Sequence, residues 1–145
     1  MTISKTKDEH IIVVEDDLDD QFLIERIFER IGVSTPRFFN NGKEALDYLK
    51  QTTDRILLII SDINMPIMNG LELRKEINQN ESLRRKSIPF IFLSTAARPD
   101  DVDAAYDMTV QGFFLKGYTV TSMEESLQLM YTYWKRCKHP NSTKY

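Results

Sequence analysis

Four short apolar runs in this chain end abruptly in groups that can handle phosphate and a hard cation. Ile11 to Val14 runs into Glu15, Asp16 and Asp17, and Ile56 to Ile60 into Ser61 and Asp62. Ile88 to Leu93 is followed by Ser94 and Thr95, and Phe113 to Leu115 by Lys116. Carboxylates brought together repel and raise one another's pKa, a cost that a divalent cation removes. All-oxygen ligands with no His or Cys among them favour magnesium over zinc. An aspartate can also act as a nucleophile toward phosphorus and carry the group as an aspartyl-phosphate. A lysine and a cation would neutralise the transferred charge, and a hydroxyl could donate to a phosphoryl oxygen.

These groups meet only if the runs are neighbouring strands. Ile11 to Val14 and Ile56 to Ile60 are β-rich and apolar on both faces, as buried parallel strands are. Between the runs lie helical stripes: Ile24, Ile27, Phe28 and Ile31, then Ala45, Leu46 and Leu49 behind an Asn41 to Glu44 cap, then Leu71 to Ile77. Asp100 to Met108 and a last stripe of Met123, Leu127, Met130 and Trp134 follow, with Thr121 and Glu124 suited to the last helix's first turn. Arg37 to Phe39 completes five strands. Strand and helix alternating five times predicts an α/β domain, a doubly wound parallel sheet with five helices. Ligands of such sheets bind beyond the carboxyl ends of the strands, where the acids and the lysine stand. The domain is expected over 8–134, and 135–145 reads as a polar C-terminal tail.

Composition narrows the function. A net charge of -3 leaves no basic field for nucleic acid. No apolar run is long enough to span a bilayer, and MTISKTKDEH lacks the apolar core of a signal peptide. The single cysteine, Cys137, forms no internal disulfide, so the reducing cytoplasm is the expected setting.

The runs VVEDD, SDINMPIMNG, FIFLST and FFLKG resemble the response-regulator receiver family of two-component signalling, over His10 to Trp134. LDDQFLIER followed by EALDYL is most similar to the single-domain regulators associated with phytochrome-type kinases. The resemblance implies a flavodoxin-like sheet of strand order 2-1-3-4-5 and a magnesium-dependent phosphoacceptor rather than an enzyme acting on an outside substrate. It places the phosphoryl group on Asp62, with Mg2+ held by Asp16, by Glu15 through water, by Asp62 and by the backbone carbonyl of Asn64. Ser94 matches the switch hydroxyl, Lys116 the phosphoryl-contacting lysine, and Phe113 the switch aromatic. The implied partners are a histidine kinase or phosphotransfer protein and a downstream protein; self-phosphorylation, autodephosphorylation and a homodimer belong to the same implication.

Three departures from the family's pattern stand out. Gly117 follows the lysine where proline is usual, Thr109-Val110 replaces a Gly-Ala, and Phe113 replaces a tyrosine. A trans Lys116–Gly117 bond is expected, because a cis bond before a non-proline costs about 2.5–4 kcal/mol. Plainer readings also hold at some positions. Asp17, Asp19 and Asp20 read as a solvated acidic face, Phe113 suits a core, and Ser94 and Thr95 compete as the switch hydroxyl. His10, before the first strand, and His139, in the tail, have no ligand company. Two other functions compete: a phosphohydrolase with a nucleophilic aspartate, which would need a second Asp where Asn64 stands, and an interaction module that no longer takes phosphate.

Overall fold

The computed structural model describes residues 9–95, 98–138 and 140. Five strands, β1 (Glu9–Val14), β2 (Arg37–Phe39), β3 (Arg55–Ser61), β4 (Phe90–Ser94) and β5 (Gly112–Leu115), form one sheet in the order β2-β1-β3-β4-β5. Every neighbouring pair is parallel. The central runs are buried from end to end because helices cover both faces, and strand alternation sorts the side chains between them. Ile12 and Val14 join Ala45, Leu46 and Leu49 of α2 (Gly42–Gln51) and Leu73 and Ile77 of α3 (Gly70–Gln79). Ile11 and Val13 face the other way, onto Ile24, Ile27 and Phe28 of α1 (Leu18–Arg30) and Met123, Leu127 and Met130 of α6 (Val120–Arg136).

The expected sheet and order stand, with six helices in place of five. The addition is α4 (Glu81–Lys86), set directly after α3. Asn80 ends α3 and caps α4, its side chain accepting from the Leu83 amide at 3.1 Å. Only Leu83 of this short helix is buried, so no apolar stripe announces it. The fifth helix, α5 (Pro99–Asp107), covers the same face through Ala105. Strand β4 begins after Pro89, whose carbonyl still accepts from Ile59 at 2.9 Å.

Smaller features differ from expectation at the ends of elements. His10 lies inside β1, where its Nε2 is 3.0 Å from Asp54 Oδ2. The cap of α6 is Thr119, accepting from the Ser122 amide at 3.0 Å, so Thr121 falls within the helix. That helix runs on to Arg136, and Lys135 reaches back to Glu9 at 2.7 Å. His139 lies outside the described residues. No described helix is long and apolar enough to cross a membrane.

Candidate functional site

The strand ends are brought level by the sheet's own hydrogen bonds, which continue one residue past the strands. Glu15 N donates to Phe39 O at 2.9 Å, Asp62 N to Val14 O at 2.9 Å and Lys116 N to Ser94 O at 2.8 Å. Glu15, Asp62 and Lys116 are thus held as rigidly as strand residues while their side chains extend beyond the sheet. A crevice of about 620 Å³ opens there, lined by Asp16, Asp20, Asp62, Asn64, Thr95 and Lys116 among others.

The loop after Asp62 is shaped by close approach. A Cβ at Gly70 would lie 2.1 Å from the Asp62 carbonyl oxygen, so only glycine lets α3 start so near. Asn69 and Glu72 close a capping box at that start. Gly70 N donates to Ile63 O at 2.8 Å, and Ile63 N to Asp62 Oδ1 at 2.7 Å, which orients the Asp62 carboxylate.

Lys116 is the centre of the charge arrangement. Its ammonium is buried and bonds to Glu15 Oε1, to Asp20 Oδ2 at 2.8 Å and to Asp62 Oδ2 at 3.1 Å. Burial alone would lower the lysine's pKa, but the bonds to Asp20 and Glu15 and the charge of Asp62 more than reverse this and raise it. Burial pushes the Glu15 carboxyl up to about 7; the Lys116 hydrogen bond opposes the rise and the Asp62 charge adds to it. Oxygens of Glu15, Asp16 and Asp62 lie within 4.8 Å of one another. Three oxygen donors so crowded, one of them buried, suit a small divalent cation, which would offset the repulsion.

Asp17 is exposed but does more than face solvent, and Asp20 is half-buried. Asp17 caps α1, its Oδ1 accepting from the amides of Asp19 at 2.9 Å and Asp20 at 3.1 Å. Asp20 turns into the crevice to meet Lys116; Asp16, Asp19 and Asn64 remain exposed. An acid in a helix's first turn is so common that nothing in the sequence separated Asp20 from its neighbours. Ser94 is buried at the end of β4 at 1% exposure, and Thr95, the other hydroxyl, lines the crevice. Phe113 is half-buried against the α2–α5 face, its ring 5.8 Å from that of Phe92.

Comparison with known proteins gives the family. Residues 11–128 match the family model described as the response regulator receiver domain. The chain belongs to the response regulator receiver family. A probable methanogenesis regulatory protein, FilR2 of Methanothrix harundinacea, is 30% identical over 86% of this chain and 82% of its own length. The response regulator Rcp1 of Synechocystis is 28% identical over 86% of this chain and 87% of its own. Among solved structures, the phosphorylated cyanobacterial phytochrome response regulator RcpA superposes with a TM-score of 0.79 at 27% identity, covering 92% of this chain and 98% of that one. A manganese-bound form of Rcp1 superposes with a TM-score of 0.77, again at 27% identity and with the same coverage of each chain.

The departures from the receiver pattern are accommodated locally. The Lys116–Gly117 bond is trans, like every other described peptide bond. A Cβ at Gly117 would stand 2.3 Å from Ser122 Oγ and 2.5 Å from Ser122 Cβ, so the loop passes too close beneath α6 for a larger residue. Thr109 takes the left-handed conformation, φ 60°, that a glycine would adopt at less cost.

Proposed function

We propose that Asp62 accepts a phosphoryl group from a phosphohistidine of a histidine kinase or phosphotransfer protein. The observation that carries this is the convergence on Asp62 of a buried lysine and two further carboxylates at the carboxyl end of the sheet. A carboxylate oxygen of Asp62 attacks phosphorus, the phosphorus–nitrogen bond breaks, and the imidazole nitrogen leaves with the electron pair. Such transfer needs in-line positioning and charge neutralisation more than covalent chemistry from the protein. Lys116 would donate to the arriving phosphoryl oxygens on giving up one of its three carboxylate partners. Ser94 or Thr95 would donate from the end of β4. Mg2+, held by Glu15, Asp16, Asp62 and the Asn64 carbonyl, would neutralise charge on the transferred group. Attack by water on phosphorus, with the aspartate leaving, would return the protein to its starting state.

Output follows from the same groups. Phosphorylation replaces the single negative charge of the Asp62 carboxylate with a phosphoryl group carrying about two. Drawing Lys116 and the β4 hydroxyl toward them would repack Phe113 and alter the surface of α5, β5 and α6. Tyr106, Leu115 and Tyr118 are exposed on these elements and the loop after β5. A downstream protein partner, or a second copy of the chain, would read that surface in the cytoplasm.

Acid-labile label from acetyl phosphate tests the acceptor. The protein should take up one phosphoryl group in the presence of magnesium, and Asp62→Asn should take up none while keeping its fold. Equal labelling of the variant would move the acceptor elsewhere, and rapid turnover of varied phosphate esters would favour a hydrolase.

A further inference from the structure

We infer that Asp20 is a positioning residue that competes with the phosphoryl group for Lys116; the inference rests on the phosphoacceptor reading of Asp62. An ammonium has three protons. All three are engaged: by Glu15, by Asp20 at 2.8 Å and by Asp62 at 3.1 Å. A phosphoryl oxygen can gain a bond from Lys116 only if one of these yields. The Asp62 carboxylate is the group being modified. The Glu15 side chain is 2% exposed, so stripping it of its lysine would leave a buried acid without that partner. The Asp20 side chain is 30% exposed, and water can replace the lysine there at lower cost. Asp20 is therefore the partner that lets go.

The local structure suits that role. The Asp20 backbone is fixed in the first turn of α1, where its amide donates to the Asp17 cap at 3.1 Å. The side chain thus holds Lys116 from a helix that need not move when the bond breaks. Asp19, exposed one residue earlier, already places an acid at the helix start, so a generic helix-terminus role does not account for the direction Asp20 takes. By holding the lysine and adding its own negative charge to the crevice, Asp20 slows the approach of an anionic donor.

Labelling of wild type, Asp20→Asn and Asp20→Glu by acetyl phosphate, together with the side-chain ammonium resonance of Lys116 in the free proteins, tests this. Asp20→Asn keeps the shape and removes the charge, so its second-order labelling rate should rise about threefold to tenfold. The rise should shrink in high salt. The Lys116 ammonium protons should exchange faster with water in Asp20→Asn. Asp20→Glu should return both quantities toward wild type. A rate for Asp20→Asn equal to or below that of wild type overturns the competition, whatever the resonance shows. If wild type itself takes no label, the phosphoacceptor reading fails and the competition falls with it; the two failures are told apart by whether wild type labels.

Discussion

Two buried cations, Lys116 and Arg74, are held in opposite ways. Lys116 meets three carboxylates at the carboxyl end of the sheet. Among the described residues, Arg74 of α3 meets neutral acceptors at the exit of α5. Its Nε donates to Met108 O at 3.0 Å and its Nη2 to Thr109 O at 3.0 Å, with Phe90's ring 5.4 Å from the guanidinium carbon. The surroundings move the two pKa values apart: partners raise that of Lys116, whereas burial lowers that of Arg74. A cation among anions can be redistributed when a new anion arrives. A cation among carbonyls has no such exchange open to it and serves as a fixed strut. Asn78 adds a second donor to Met108 O at 3.0 Å. An exchangeable cation and a fixed one are thus divided between two ends of one sheet.

Removing Lys116 should have the largest effect. Lys116→Met takes away the donor expected to meet the phosphoryl oxygens, so labelling from acetyl phosphate should fall about 10²–10³-fold. It also leaves Glu15 buried without its cation, and the carboxyl should then hold its proton to still higher pH than about 7. An acid whose folded pKa is raised binds more protons folded than unfolded, so its stabilising contribution is present at low pH and is lost as pH rises through the folded pKa. The variant's melting temperature, measured without metal, should fall more steeply than wild type's between about pH 6 and about pH 8. A parallel pair of curves would mean that Lys116 does not control Glu15.

Arg74→Met should reverse the pattern. Four acceptor or ring contacts disappear, and the Met108 and Thr109 carbonyls each lose one of their donors, at a cost of about 1–3 kcal/mol in stability. A lower urea midpoint at unchanged slope would report this. Labelling at Asp62 should stay within about twofold of wild type, since Arg74 touches nothing in the crevice. A large loss of labelling would join the two ends and break the contrast.

The two cations also differ in how readily they are seen in the sequence. Lys116 is visible because it follows a short apolar strand, as Asp62 does, and the end of a parallel strand is where a functional group can stand. Arg74 sits in LRKE, among charged residues, and reads as part of a wet helix face; its burial depends on a turn more than thirty residues away. Asp20 is hidden for a related reason, since a capping acid and a lysine partner look alike until the fold brings the Lys116 side chain within reach of α1. Helix α4 escapes because one buried leucine makes no period. Thr109 was legible as a missing glycine, but the donors that support its conformation were not.

The smallest effect should come at Thr109, and it bears on whether Arg74 enforces that conformation. A non-glycine residue in the left-handed region costs about 1–2 kcal/mol. Thr109→Gly removes that cost, while glycine's extra freedom in the unfolded chain takes back about 0.5–1 kcal/mol. The Thr109 hydroxyl's contact with Arg74, at 3.3 Å, is long and contributes little. The variant should therefore be about 0.5 kcal/mol more stable than wild type. Repeated in the Arg74→Met background, the same substitution should help less, because without the guanidinium bonds Thr109 is free to leave the left-handed region and shed its strain unaided. Urea unfolding of the four proteins measures that difference directly. An equal gain in both backgrounds would show that the turn keeps its shape through the bonds of Thr109 N to Tyr106 O and of Gln111 N to Phe90 O, each 2.9 Å, and that Arg74 follows the turn instead of imposing it.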